Sequence, residues 1–109
     1  SHEIRNKFIT NLSCSMKGNT LVLFSRVESH GAILYEMINN KVSEGRRVFF
    51  IHGGVGAEDR EQVRLITESQ QDAIIVASYG TFSTGINIKN LHKNSFTSIS
   101  YRNRYDKQY

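Results

Sequence analysis

Long hydrophobic runs, paired cysteines and clustered metal ligands are all missing from this chain of 109 residues, and each absence removes a class of protein. The longest uninterrupted apolar stretch runs only from Ala73 to Ala77, far short of the ~20 residues that a membrane-crossing helix needs. The polar start Ser1-His2-Glu3 does not have the form of a secretion signal, so a cytoplasmic location is expected. Without an initiator methionine the chain reads as an excised fragment or as carrying a cloning scar, with ends that need not be natural. Cys14 has no partner for an intramolecular disulfide, and His2, His30, His52 and His92 are scattered without ligand spacing. Neither a disulfide framework nor a zinc site is expected. The usual nucleotide fingerprints are also lacking. No Gly-x-x-x-x-Gly-Lys-Ser/Thr loop occurs; Lys17-Gly18-Asn19-Thr20 has no preceding glycine at the required distance, and no Asp-Glu pair follows an apolar strand to hold Mg²⁺. ATP binding by this chain alone is therefore not expected, and neither is a catalytic residue.

What is present is ordinary globular composition, with 39% apolar and 22% charged residues. That is enough for one core and too little for two full-sized domains. The net charge of +4 is unevenly placed. Residues 93–109 hold Lys93, Arg102, Arg104 and Lys107 against Asp106, whereas the first 92 residues are nearly balanced. Such a surplus suits a polyanionic partner, and equally a solvated, frayed tail. The expected organisation is a folded domain over residues 1–92 followed by a basic polar tail over 93–109.

Hydrophobic spacing supplies the elements. Ile4, Phe8, Ile9, Leu12 and Met16 recur every three to four positions, predicting a helix over 3–17 that stops at Gly18. The continuous apolar runs in 20–25, 48–51 and 73–77 suit strands buried on both faces. Between them, a helix over 29–43 turns Ile33, Leu34, Met37, Ile38 and Val42 inward with Gly45 as its cap. Another over 58–69 shows Val63 and Ile66, with Glu58 and Asp59 matching its positive end. Strand, helix, strand, helix, strand predicts an α/β domain: a mostly parallel sheet with helices on both faces. Ligands of such sheets gather at the carboxyl ends of the strands.

Three strand-end loops are rich in small, polar and basic groups. Ser25 and Arg26 place a hydroxyl and a guanidinium where both can reach phosphate oxygens, or are plain surface residues beside a turn. His52-Gly53-Gly54-Val55-Gly56 lets backbone approach a ligand and feeds a helix N-terminus, or is simply turn chemistry. Arg60, in the first turn of that helix, opposes the helix dipole, so a partner such as Asp59, Glu61 or a phosphate would account for it. The third loop is the most informative. In Ser78-Tyr-Gly-Thr81-Phe-Ser83-Thr84-Gly85-Ile-Asn87, four hydroxyls, two glycines and an amide directly after a buried strand form a donor-rich surface for phosphate or ribose.

In order and spacing these loops resemble the motifs of the second motor lobe of superfamily 2 helicases, and within them the phage recombination helicases. Thr20-Leu-Val-Leu-Phe-Ser-Arg26 resembles motif IV, and Phe50-Ile-His-Gly-Gly54 with Arg60 the adjoining motif IVa. Residues 73–92, Ala-Ile-Ile-Val-Ala-Ser-Tyr-Gly-Thr-Phe-Ser-Thr-Gly-Ile-Asn-Ile-Lys-Asn-Leu-His, resemble motif V and carry most of the specificity. The resemblance covers residues 19–92 and implies a three-layer RecA-like domain. By that likeness Ser25, Arg26, Gly53, Gly54, Arg60, Ser78, Thr81 and Ser83 would contact nucleic acid, while Thr84, Gly85 and Asn87 would face the interlobe cleft and sense nucleotide. Many relatives carry Asp where Asn87 stands.

The resemblance further implies ATP and Mg²⁺ as cofactors of an intact enzyme, and branched or duplex DNA together with a first RecA-like lobe as partners. No membrane association is expected, and the isolated chain is expected to be a monomer. Downstream the pattern breaks. Motif VI, a Gln-x-x-Gly-Arg-x-x-Arg helix whose arginines reach the ATP phosphates, is missing, and Arg102 and Arg104 lack its Gln and Gly. Its loss, with that of the phosphate-binding lobe, implies a motor-lobe fragment of a helicase in recombination, repair or replication, inactive by itself. A stand-alone nucleic-acid-binding domain and a small flavodoxin-like phosphate-binding protein are the competing readings.

Overall fold

Three strands of apolar residues form where the sequence pattern places them, and a fourth joins them. In the computed structural model, which describes residues 2–24, 28–51, 56–78 and 97–101, the elements in chain order are α1 (His2–Ser15), β1 (Thr20–Phe24), α2 (Glu28–Lys41), β2 (Val48–Ile51), α3 (Gly56–Ser69), β3 (Ile74–Ser78) and β4 (Thr97–Tyr101). The strands lie in the order β2-β3-β1-β4, and every pairing is parallel.

Alternate residues of the central strands point to opposite faces, and each face has its own core. Leu21, Leu23, Ile51, Ala73, Ile75 and Ala77 pack against Val63 and Ile66 of α3. Val22, Phe24, Ile74 and Val76 pack against Ile9 of α1 and Leu34 and Ile38 of α2. Helices therefore cover both faces, giving three layers. Every residue of β1 is buried, which explains why its run is uniformly apolar rather than alternating.

Three departures from the sequence pattern are informative. The inward face of α1 is not the Ile4–Phe8 stripe: Ile4 is 70% and Phe8 63% exposed, while Asn6, Ile9, Thr10 and Ser13 are buried. Positions 6, 9, 10 and 13 share one helical face, and positions 4 and 8 lie well round the helix from it. Ser13 satisfies its hydroxyl on the Ile9 carbonyl at 2.7 Å. In α2, Ile33 is exposed rather than inward; Tyr35 instead packs against the core, stacked on Phe50 with ring centroids 5.7 Å apart. Finally, β4 falls within the stretch read as a polar tail. It pairs along β1 from Thr20↔Thr97 to Phe24↔Tyr101. The period-two spacing of Thr97, Ile99 and Tyr101 against Ser98 and Ser100 is the signal that marks it.

The amino edge of the sheet is closed by polar side chains. Asn19 donates from Nδ2 to the Gln70 carbonyl at 2.7 Å and accepts at Oδ1 from the Ala73 amide at 2.8 Å, so one side chain ties the approaches to β1 and β3. Asp72 accepts from the Gly18 amide at 2.8 Å. Gly18 and Gly45 take positive φ, 83° and 93°, in the turns that follow α1 and α2, where a side chain would be strained. Arg46, its side chain only 7% exposed, spans these groups. It donates from Nε to the Asp72 carbonyl at 2.9 Å, from Nη1 to the Cys14 carbonyl and from Nη2 to the Gly18 carbonyl, both at 3.2 Å.

On the solvent side of α3, Arg64 pairs with Glu61 and Glu68. The Arg64 hydrogen bond holds the Glu61 carboxyl below its ordinary value, and the two carboxylates hold the Arg64 guanidinium above its own. Because the folded-state value of Glu61 is depressed, its stabilising effect is present above the unfolded-state value and is lost as pH falls through the folded one. The groups are exposed, so water screens them. Arg64→Ala is expected to leave the urea midpoint at pH 7 close to that of the parent, with the small difference vanishing in acid. A large midpoint shift at neutral pH would contradict this account.

Candidate nucleic-acid interface

Parallel pairing brings the carboxyl ends of the strands to one edge. Phe24, the last residue of β1, is level with Ser78, the last of β3, and with Tyr101, the last of β4. Ile51, ending β2, is level with Ala77. Neighbouring strands are ~4.8 Å apart, so the chain leaves β1 toward Ser25-Arg26 and leaves β3 toward the hydroxyl-rich stretch from adjacent points. The helices that follow β1 and β2 begin close behind, α2 at Glu28 and α3 at Gly56.

The strand order gives these exits a further property. From β1 the chain proceeds to β2, beyond β3, and from β3 it proceeds to β4, beyond β1. The two connections depart in opposite directions from neighbouring strands, which defines a topological switch point, the place where open α/β sheets leave a crevice for a ligand.

Of the site residues expected from the sequence, Ser78 is described in full: it closes β3, is partly buried and pairs with Phe24. Arg60 is placed by its backbone in the first turns of α3. Ser25, Arg26, Gly53, Gly54, Thr81, Ser83, Thr84, Gly85 and Asn87 lie outside the described residues. Their anchor points, residues 24, 51 and 78, are brought to one edge.

The structure adds a supporting residue that the sequence reading passed over. Gly31 of α2 lies directly on the ring of Phe24, and a Cβ there would intrude on the ring carbons Cζ, Cε1 and Cε2. Phe24 is fully buried, with its ring centroid 6.0 Å from that of Phe50. This contact sets how closely α2 approaches the end of β1, one residue before Ser25. A glycine inside an apolar helical pattern was the available signal. Among the described residues no helix is long and apolar enough to cross a membrane.

The all-parallel sheet, helices on both faces and switch point define the class: a RecA-like α/β domain. No family model matches the chain. It is 40% identical over 91 residues to the ATP-dependent DNA helicase uvsW of Enterobacteria phage T4, an alignment that takes in 81% of this chain and 17% of that protein. Among solved structures, the crystal structure of T4 UvsW superposes with a TM-score of 0.63 at 26% identity, over 90% of this chain and 25% of that one. The chain is thus a homologue of the UvsW helicase in sequence and fold, matching a domain-sized part of it and spanning less than a fifth of that relative's length.

Proposed function

We propose that this chain serves as part of the second motor lobe of an ATP-dependent DNA helicase or translocase acting in recombination, repair or replication. Its role is to supply nucleic-acid and interlobe contacts, without turnover by itself. The observation that carries the reading is the adjacency of Phe24 and Ser78 at the switch point, joined to homology with a phage helicase. In this reading Ser25 and Arg26, which follow Phe24 in sequence, and Ser78, Thr81 and Ser83, which end or follow β3 in sequence, contact the phosphate backbone. Hydroxyls and backbone N–H groups there suit successive phosphates, and Arg26 neutralises one of them. Gly53, Gly54 and Arg60, in or just after the sequence between β2 and α3, are assigned to the same nucleic-acid contact.

Thr84, Gly85 and Asn87 are assigned to the interlobe cleft, where nucleotide would be sensed. ATP and Mg²⁺ belong to the intact enzyme in this reading. Among the described residues no three His, Cys, Asp or Glu side chains converge as a metal site, and the carboxylates of Asp72, Glu61 and Glu68 face Arg46 and Arg64. The residues described here therefore do not fit the metal, and its ligands are assigned to the first lobe. A missing arginine finger alone lowers phosphoryl transfer by about 10³ to 10⁵.

The purified chain is expected to show no ATP turnover above background. It should bind duplex or branched DNA weakly, with affinity that improves when the first lobe is supplied and that falls in Arg26→Gln. Turnover by the chain alone, or equal DNA affinity in the parent and Arg26→Gln with the lobe present, would refute the assignment.

A further inference from the structure

A groove of about 480 Å³ runs between α1 and α2, lined by Lys7, Thr10 and Asn11 on one side and Met37, Asn40 and Lys41 on the other. It lies away from the strand-end rim. Lys41 ends a helix that starts just past the carboxyl end of β1 and delivers the chain toward the amino end of β2, so the groove sits on the outer helical layer toward the opposite edge of the sheet. We propose that this groove is a second phosphodiester-binding surface, separate from the rim.

Three observations carry the assignment. No carboxylate is among its described lining residues, whereas each of the two helices contributes a lysine. Lys7, Asn11, Asn40 and Lys41 are exposed, and none of their side chains forms a hydrogen bond or ion pair with another described residue. That leaves two ammonium groups and two amides with their donors uncommitted. Beneath them, Thr10 is only 3% exposed and its Oγ1 is buried without a hydrogen-bond partner. A buried hydroxyl left unpaired is costly. Because that oxygen holds no bond, turning about the Cα–Cβ bond sacrifices none, and an anionic oxygen in the groove would give the hydroxyl an acceptor. Met37 adds an apolar side chain to the lining, against which a sugar can lie. Uncommitted cationic and neutral donors around such a side chain match a sugar-phosphate chain.

The proposal rests on the chain being a nucleic-acid-binding domain, and the test separates the two ideas. Affinity of the full 109-residue chain for a short DNA duplex is measured between 50 and 200 mM salt for the parent, for Lys7→Gln/Lys41→Gln and for Arg26→Gln. Both lysines are exposed, so the double variant should retain the parental circular dichroism and urea midpoint. Each phosphate contact contributes about 0.9 to the slope of log affinity against log salt. The double variant should therefore lose about 1.8 from the slope, and the parent-to-variant affinity ratio should change by about tenfold across that salt range. Thr10→Val, which removes the hydroxyl and keeps the shape, should weaken binding while leaving stability equal or raised.

An unchanged slope in the double variant with a reduced slope in Arg26→Gln would overturn the groove and leave the rim reading standing. No salt-dependent DNA affinity in any form would overturn both. Inorganic phosphate is titrated in parallel. Saturation of the groove amide signals by phosphate, with DNA affinity indifferent to the two lysines, would make this a small-anion site and overturn the phosphodiester assignment.

Discussion

Arg46→Ala should lower the free energy of unfolding by about 3–5 kcal/mol, seen as a shift of the urea midpoint with an unchanged slope. The reason is the number of chain segments this one side chain holds. Its guanidinium satisfies the carbonyls of Cys14 at the end of α1, Gly18 in the turn before β1 and Asp72 before β3, and it lies 3.6 Å from the Asp72 carboxylate. Charged donors form the stronger class of hydrogen bond, and truncation removes three of them at once, leaving the partly buried Cys14 carbonyl without this donor while the Gly18 carbonyl keeps that of Thr20 Oγ1. The carboxylate itself contributes little, because the Asp72 side chain is 59% exposed and screened by water. Asp72→Asn should thus cost much less than Arg46→Ala. Arg46→Lys should recover only part of the loss, since one ammonium cannot copy a planar fork directed at three carbonyls. Equal stability of Arg46→Lys and the parent would show that charge rather than geometry is what matters there.

Gly31→Ala is expected to destabilise the domain by about 1–2 kcal/mol, against the usual sign of a glycine-to-alanine change inside a helix. Helix propensity favours alanine by up to about 1 kcal/mol. Overpacking of a rigid core costs about 1–3 kcal/mol, and here the added methyl meets three atoms of an aromatic ring that is fully buried beside Phe50. The ring cannot swing aside, so the clash prevails. Phe24→Leu in the Gly31→Ala background removes the obstructing carbons, and the double variant should be more stable than the sum of the single changes by at least about 1 kcal/mol. Strict additivity in that cycle would show that the two side chains do not compete for the same space. Under the proposed function, Gly31→Ala should also weaken DNA binding more than a remote substitution of equal destabilisation, because it moves the end of β1 from which Ser25 and Arg26 depart.

The legibility of this fold differs from element to element. The three apolar strands were readable because residues buried on both faces leave a continuous run, and burial on both faces itself announces a covered parallel sheet. Val63 and Ile66 of α3 were readable for the related reason that few apolar residues compete for its inward face. In α1 the competition was real. Ile4 and Phe8 looked inward by spacing, yet Asn6, Thr10 and Ser13 are buried beside Ile9 instead, so apolar spacing alone did not choose the face. The strand β4 carries a weak alternating pattern in a polar setting, and it became a strand through pairing with β1.

By itself, the sequence determined the succession of the three helices and the first three strands, the positions of the loops that resemble helicase motifs, and the absence of the phosphate-binding and arginine-finger signatures. All of these depend on residues close together in the chain. Tertiary structure alone decided which face of α1 is buried and that Arg46 would bind carbonyls 26 to 32 residues away. It also brought Phe24 and Ser78, 54 residues apart in sequence, level at one edge. Spacing along a chain reports local periodicity, whereas register between strands and the closeness of two helices are settled by side-chain volume and hydrogen bonding across the fold.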